Sequence, residues 1–134
     1  MKTFRRWSLI ACLLLVPVTS HAELNDVEHY EHKSSVNLLE ARGIINGYPD
    51  GSFRPYKAIN RAEFLKLLML SVYGEQAYQG GSERCFTDFT GNYEWYWAFA
   101  CTAKMLGIIH GHPDGSFRGE DTIILAEALK MSFE

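Results

Sequence analysis

The side chain with the clearest capacity to bind an anion is that of Arg61, in the segment Asn60-Arg61-Ala62-Glu63. The segment predicts a helix start, because Asn60 is a favoured N-cap and Glu63 completes a capping box. A cation in the first helical turn opposes the helix dipole, which favours a functional role. Its guanidinium can hold a carboxylate through two hydrogen bonds, with help from free N–H groups of the helix end. The alternative is that Arg61 pairs with Asp50 or another acid and only holds the loop to the helix.

Aromatic side chains form a second group with chemical potential. Tyr93, Trp95, Tyr96 and Trp97 lie within five residues of one another. A helix cannot bury all four on one stripe, so we expect two in the core. Trp95 or Trp97 could then face a groove and stack on a sugar ring, and Tyr48 is a further candidate for stacking.

The polar residues of two similar turns have simpler explanations than catalysis or metal binding. Asp50 and Asp114 follow a proline and precede a glycine, which is typical of a tight turn. The alternating oxygen ligands of a calcium loop are absent, and His110 with His112 supplies only two ligands, so no metal is predicted.

No nucleophile with a partnered base, carboxylate pair or phosphate loop is recognisable, so neither an enzyme nor a cofactor is predicted.

These residues are positioned by an internal repeat. "GIINGYPDGSFRP" begins at Gly43 and "GIIHGHPDGSFRG" begins at Gly107, and ten of the thirteen letters agree. Apolar residues at helical spacing precede each phrase, over 34–42 and 93–106, and follow it, from Asn60 onward and towards the end of the chain. The glycine that opens each phrase is suited to the left-handed residue after a helix. The pattern predicts two helix–loop–helix units whose apolar faces need a neighbour.

Both units resemble the motif of the S-layer homology (SLH) family. The resemblance lies in "LNDVEHY" and "CFTDFTG" at the start of each unit, in the shared "GII-G-PDGSFR" phrase, and in "INRAEF" after the first. It implies a mainly α fold, in which tandem helix–loop–helix repeats pack as part of a pseudo-threefold bundle. It also implies a non-catalytic anchor for the bacterial envelope, with a secondary wall polysaccharide or peptidoglycan as its partner.

The same resemblance assigns the ligand-binding residues. Arg61 is the expected central contact, and the others around it and in the first loop are Asn60, Glu63, Gly47, Tyr48, Asp50 and Gly51. The second unit has Leu125 where the first has Arg61, so only the first is expected to make a full contact. Family members usually carry three motifs. With two, we expect exposed apolar faces near Leu65 and Leu129, and self-association or a further motif.

The N-terminal residues predict export. Residues 1–22 combine basic residues, a short apolar run and small residues at the spacing of a signal-peptidase site. The alternatives are a membrane anchor and a lipoprotein signal at Cys12. In an exported chain, the remaining cysteines, Cys85 and Cys101, are expected to form a disulfide, the alternative being two buried thiols.

Charge and length limit the remaining possibilities. Removing the three basic residues of the leader changes the net charge from −3 to −6, which argues against nucleic acid and anionic membranes as partners. The predicted organisation is a signal peptide (1–22), a first motif (23–73), a linker (74–84) and a second motif, possibly truncated (85–134). We expect the protein to be secreted and to be located at the bacterial cell surface or in the envelope. The alternative function is a structural protein–protein interaction module of a larger secreted surface protein.

Overall fold

The computed structural model of the chain describes residues 24–78, 84–90 and 95–133. Within these ranges there are four α-helices and no strand: α1 (Lys33–Ala41), α2 (Arg61–Tyr73), α3 (Trp97–Met105) and α4 (Leu125–Phe133). A 3₁₀ helix (Gly74–Tyr78) follows α2 directly. The predicted mainly α fold with repeated helix–loop–helix units is confirmed. In the described ranges no helix has the length and apolar character to cross a membrane, and the predicted signal segment lies outside them.

The helix boundaries follow the local signals closely. At the start of α2, the side chain of Asn60 accepts the N–H of Glu63 at 2.7 Å, and Glu63 accepts the N–H of Asn60 at 2.9 Å. This is the predicted capping box. Gly43 and Gly107 follow α1 and α3 with φ of 68° and 78°, as expected for left-handed caps. α3 begins at Trp97, later than the predicted stretch 93–106.

The Pro-Asp-Gly turns are held by their aspartates in the same way in both units. Asp50 accepts the N–H of Ser52 at 3.0 Å and a guanidinium N–H of Arg54 at 2.6 Å. These hydrogen bonds, first the hydroxyl of Ser52, hold the pKa of Asp50 well below its usual range. The second turn repeats both contacts through Asp114, Ser116 and Arg118. The predicted turn role of both aspartates is therefore confirmed.

A further aspartate in each unit ties the segment before the first helix to the loop. The two carboxylate oxygens of Asp26 accept the N–H groups of Phe53 and Arg54, both at 2.7 Å. Arg54 has a φ of 61°, a region that costs a residue with a side chain about 1–2 kcal/mol. The clamp compensates for this strain, and Asp88 forms the same clamp in the second unit.

α2 belongs to the cores of both units. Its Leu65 and Met69 are fully buried in the larger cluster with the second unit, while Leu67 packs against the smaller cluster of the first unit. The expectation of an exposed face near Leu65 is therefore wrong, because the second unit covers it. At the equivalent position of α4, Leu129 is 47% exposed, as expected.

The second unit also covers the N-terminus of α2. The N–H of Arg61 donates to the carbonyl of Asp121, and the N–H of Ala62 donates to the carbonyl of Gly119, both at 2.9 Å. The N–H of Glu63 is used by the capping box. The helix end therefore has no free first-turn N–H groups for an anion, and that part of the sequence-based expectation is wrong.

A disulfide links Cys85 to Cys101, with 5.5 Å between their Cα atoms, so the predicted bridge is confirmed. It joins the segment that enters the second unit to the middle of α3. The stretch predicted as a linker, 74–84, begins with the 3₁₀ helix, in which Ala77 is fully buried. The described first part of this stretch, Gly74–Tyr78, thus contributes to the core.

Candidate functional site

Four of the seven predicted ligand-binding residues line two separate depressions. The first, which we call the aromatic groove, has a volume of about 750 Å³ and is lined by residues including Tyr48, Lys57, Glu63, Lys66 and Trp95. The second, the arginine pocket, has a volume of about 210 Å³, and its polar lining consists of Arg61, His110, His112, Glu127 and Lys130. Of the other predicted residues, Gly47 lines the aromatic groove, whereas Asn60, Asp50 and Gly51 line neither.

Three residues of the aromatic groove lining form a hydrogen-bonded triad. The hydroxyl of Tyr48 donates to Glu63 at 3.0 Å and accepts from the ammonium of Lys57 at 2.8 Å. Lys57 and Glu63 are also 3.5 Å apart. Burial raises the pKa of Glu63, but the N–H of Asn60, the Tyr48 hydroxyl and Lys57 together bring it below its usual range. Glu63 is therefore an ionised acceptor that serves both the helix cap and the groove.

Cations flank the aromatic rings of this groove. The guanidinium carbon of Arg54 lies 4.2 Å from the centre of the Tyr48 ring. Trp95, which comes from the second unit, is 52% exposed, and the ammonium of Lys66 lies 5.9 Å from its ring. Two rings from different units and several charged donors are therefore available to one ligand. This combination can stack on a sugar ring and bind its hydroxyl groups.

The remaining aromatic residues of the cluster are placed as expected where they are described. Tyr96 and Trp97 are both 6% exposed and contact Phe89 in the core. This confirms that two of the four rings are buried. Tyr93 lies outside the described residues. Trp95 is the ring that faces a groove.

Arg61 occupies the arginine pocket almost fully buried, at 9% exposure. Its Nη1 lies 3.6 Å from Glu127, and its guanidinium carbon lies 5.3 Å from the ring centre of Phe117. Its Nε has no hydrogen-bond partner among the described residues. Burial lowers the pKa of Arg61, while Glu127 and Asp121 oppose that effect. Arg61 therefore forms an ion pair with an acid, as the alternative interpretation of the sequence allowed, and that acid is Glu127 of the second unit. Asp50 pairs with Arg54 instead.

The second unit presents different chemistry at the equivalent positions. His112 stands where the first unit has Tyr48, and Leu125 stands where it has Arg61. Glu127 keeps half of the capping box, since its carboxylate accepts the N–H of Ile124 at 3.2 Å. Glu127 thus both caps α4 and neutralises part of the charge of Arg61. No group of three potential metal-ligating side chains occurs within the described ranges.

Comparison with known proteins identifies one family. The model of the S-layer homology domain matches residues 24–65 and 86–129. The chain is 33% identical over 88 residues to cell surface glycoprotein 1 of Acetivibrio thermocellus, covering 66% of this chain and 4% of that protein. It is 34% identical over 100 residues to the surface layer protein of Brevibacillus choshinensis (74% and 9%). It is 29% identical over 99 residues to the cellulosome-anchoring protein of Acetivibrio thermocellus (72% and 22%). The chain thus spans less than a quarter of the length of each of these relatives.

Proposed function

The chain belongs to the S-layer homology domain family, and from this membership we propose that it is a non-catalytic module that attaches to the bacterial cell envelope by binding wall glycan. The names of its relatives, a surface layer protein and a cellulosome-anchoring protein among them, support a location at the cell surface. The predicted signal peptide supports export of the chain. The glycan partner is a secondary wall polysaccharide or peptidoglycan.

The observation that carries this proposal is the aromatic groove. Its volume of about 750 Å³ lies within the range of ligand pockets. Tyr48 from the first unit and the half-exposed Trp95 from the second line the same groove, so a sugar bound there can contact rings of both units. Lys57 and Glu63 supply a donor and an acceptor for hydroxyl groups beside the stacking surface.

The arginine pocket adds a second contact, for a carboxylate on the glycan. Arg61 lines this pocket, so an anion that reaches its guanidinium gains a charge-assisted hydrogen bond. Glu127 lies at 3.6 Å from Nη1, a long separation for an ion pair. The ligand's carboxylate would therefore compete with a weak partner.

Retention on protein-free cell-wall sacculi tests the glycan proposal. The parent protein should co-sediment with the sacculi, and Trp95→Ala should weaken its binding about tenfold through loss of stacking. Tyr56→Ala is the matched control, because Tyr56 is an 89% exposed aromatic residue outside the groove lining. Equal losses in the two variants would remove the groove from the proposal.

A protein–protein role is the second candidate, and α4 supplies the observation in its favour. Leu125, Leu129 and Phe133 follow helical spacing and are 75%, 47% and 83% exposed. At the positions of α2 that match the last two, Leu65 and Met69 are fully buried by the second unit. We propose that another helix–loop–helix unit, from the same polypeptide or from a second copy, covers this face of α4.

Two measurements separate the candidates. Retention only by sacculi that still carry their proteins would favour a protein partner over glycan. Sedimentation equilibrium tests self-association directly: the parent should associate with rising concentration, and Phe133→Lys should shift it towards the monomer. A parent that stays monomeric at high concentration and binds little hydrophobic dye would contradict the proposal that another unit covers this face of α4.

A further inference from the structure

The charged residues that line the aromatic groove, among those described, are three cations and one acid: Arg54, Lys57, Lys66 and Glu63. Two of the cations already have acidic partners. Arg54 lies 2.6 Å from Asp50, and Lys57 lies 3.5 Å from Glu63. Lys66 forms no ion pair within the described ranges, and it is half-buried on α2. Its ammonium is therefore the charge of this lining that an anionic ligand can neutralise.

The two aromatic rings of the groove differ in a similar way. The guanidinium carbon of Arg54 lies 4.2 Å from the ring centre of Tyr48, whose hydroxyl already has two hydrogen-bond partners. Trp95 is half-exposed, and the edge-to-face contact of its ring with the buried Tyr96, with 5.3 Å between ring centres, holds it in place. Trp95 therefore offers a ring that is positioned by the core and still accessible to a ligand.

The accessible ring and the ammonium without an acidic partner are neighbours in the groove. The Nζ of Lys66 lies 5.9 Å from the ring centre of Trp95, close to the outer limit of a cation–π contact, so this contact is weak. A sugar ring that stacks on the indole lies within reach of the ammonium, and a carboxylate on that sugar gains a charge-assisted hydrogen bond. A neutral sugar gains the stacking alone.

We propose that Lys66 and Trp95 form one subsite for an acidic sugar residue, and that Lys66 makes the groove select a sugar with a carboxylate over a neutral one. The inference rests on the proposed function, since it names the kind of sugar that the wall glycan presents to the aromatic groove. The net charge of the chain without its predicted leader is −6, so no general field attracts an anion and a local cation is needed.

This subsite is separate from the arginine pocket. Lys66 follows Arg61 by five residues on α2, which rotates it by about 140° around the helix axis and moves it about 7.5 Å along that axis. Lys66 accordingly lines the aromatic groove, whereas Arg61 lines the arginine pocket. The two cations therefore face different depressions, and each takes its own acidic group from the glycan.

The test is retention on protein-free sacculi before and after their carboxylates are converted to neutral amides with carbodiimide and methylamine. Lys66→Met keeps a side chain of similar length without the charge, and it should bind native sacculi about tenfold more weakly than the parent. On amidated sacculi, the two proteins should bind equally. Arg42→Met is the matched control, because Arg42 is an exposed cation that lines neither depression, and this variant should bind like the parent.

The double variant W95A/K66M tests whether one sugar contacts both side chains. In Trp95→Ala the sugar ring is no longer stacked, so its carboxylate is no longer held beside Lys66. Removing the charge should then weaken binding less than it does in the parent. Losses that simply add would assign the two side chains to different sugars and overturn the joint subsite.

Thermal unfolding of each variant separates binding from folding. Parent-like binding of Lys66→Met to native sacculi, or equal losses on native and amidated sacculi, would overturn the acidic subsite and leave glycan anchoring in place. A loss in Arg42→Met as large as that in Lys66→Met would attribute the effect to net charge and would also overturn it. Absence of binding by the folded parent to native sacculi would overturn the anchoring function and this inference together.

Discussion

Replacing Arg61 with leucine, the residue at the same repeat position of the second unit, separates ligand binding from structural support. The substitution removes an ion pair of 3.6 Å with a partly exposed Glu127, worth up to about 1 kcal/mol. It also removes a cation–π contact of 5.3 Å, worth about 0.5–1 kcal/mol. Against these losses, it removes a buried Nε that has no hydrogen-bond partner in the described part of the chain, and such an unsatisfied group costs about 1–3 kcal/mol. The free energy of unfolding should therefore fall by no more than about 1 kcal/mol.

Binding should respond quite differently. A charge-assisted hydrogen bond to a carboxylate contributes about 1.5–3 kcal/mol, so Arg61→Leu should weaken binding to protein-free sacculi by roughly tenfold to a hundredfold. Arg61→Ala should lose the same affinity and also leave a small cavity, which lowers stability further. Urea unfolding and sedimentation with sacculi, on the same preparations, measure both quantities. Leu125→Ala should leave affinity unchanged, and Leu125→Arg should increase it.

The result that would refute this reasoning is loss of stability without loss of binding. If Arg61→Leu unfolds more easily by about 3 kcal/mol, the value expected for breaking a buried pair, and still binds sacculi like the parent, Arg61 is a brace between the units. A double-mutant cycle with Glu127→Gln would then measure the coupling directly.

Three further outcomes are expected. Reducing the bridge between Cys85 and Cys101, which spans a sequence separation of 16, should lower the free energy of unfolding by about 3 kcal/mol, as measured by urea curves with and without reductant. Gly111→Ala should lower the free energy of unfolding more than Gly107→Ala. Both glycines have φ near 80°, but only at Gly111 would a Cβ lie 2.6 Å from a buried ring, that of Phe86, which adds about 1–3 kcal/mol. Equal losses of stability in the two variants would contradict this. Because the pKa of Asp114 is lowered in the folded protein, the ionised carboxylate should stabilise the fold above about pH 3.9, and this stabilisation should be lost as the pH falls through the folded-state pKa. The melting temperature of Asp114→Asn should therefore depend less on acid than that of the parent, and an equal dependence would contradict the prediction.

Local signals in the sequence are sufficient to predict the start of α2 and the disulfide. Asn60 and Glu63 form the predicted capping box because both partners lie within one helical turn, and spacing alone brings them together. Cys85 and Cys101 were correctly paired because only two cysteines remain after the predicted leader.

The partners of Arg61 could not be predicted in this way. The side chain contacts Glu127 and Phe117, which lie in the other unit, and no local spacing reports how two units dock. The clamp formed by Asp26 was also missed as a structural feature. Its aspartate was recognised as part of the repeat, but the need for it arises from the positive φ of Arg54, and arginine carries no sequence signal for that conformation.

The closure of α2 by the second unit has a consequence for how the protein is made. Asn60 and Glu120, which are hydrogen-bonded across the junction, lie sixty residues apart. A chain that emerges N-terminus first exposes the start of α2 well before the Gly119–Ile123 segment that satisfies its N–H groups. Pairing across such a separation is slow relative to local helix formation. Because the second motif supplies these partners, we expect the start of α2 to be completed only when the second motif is present, so that the two motifs fold as one cooperative unit.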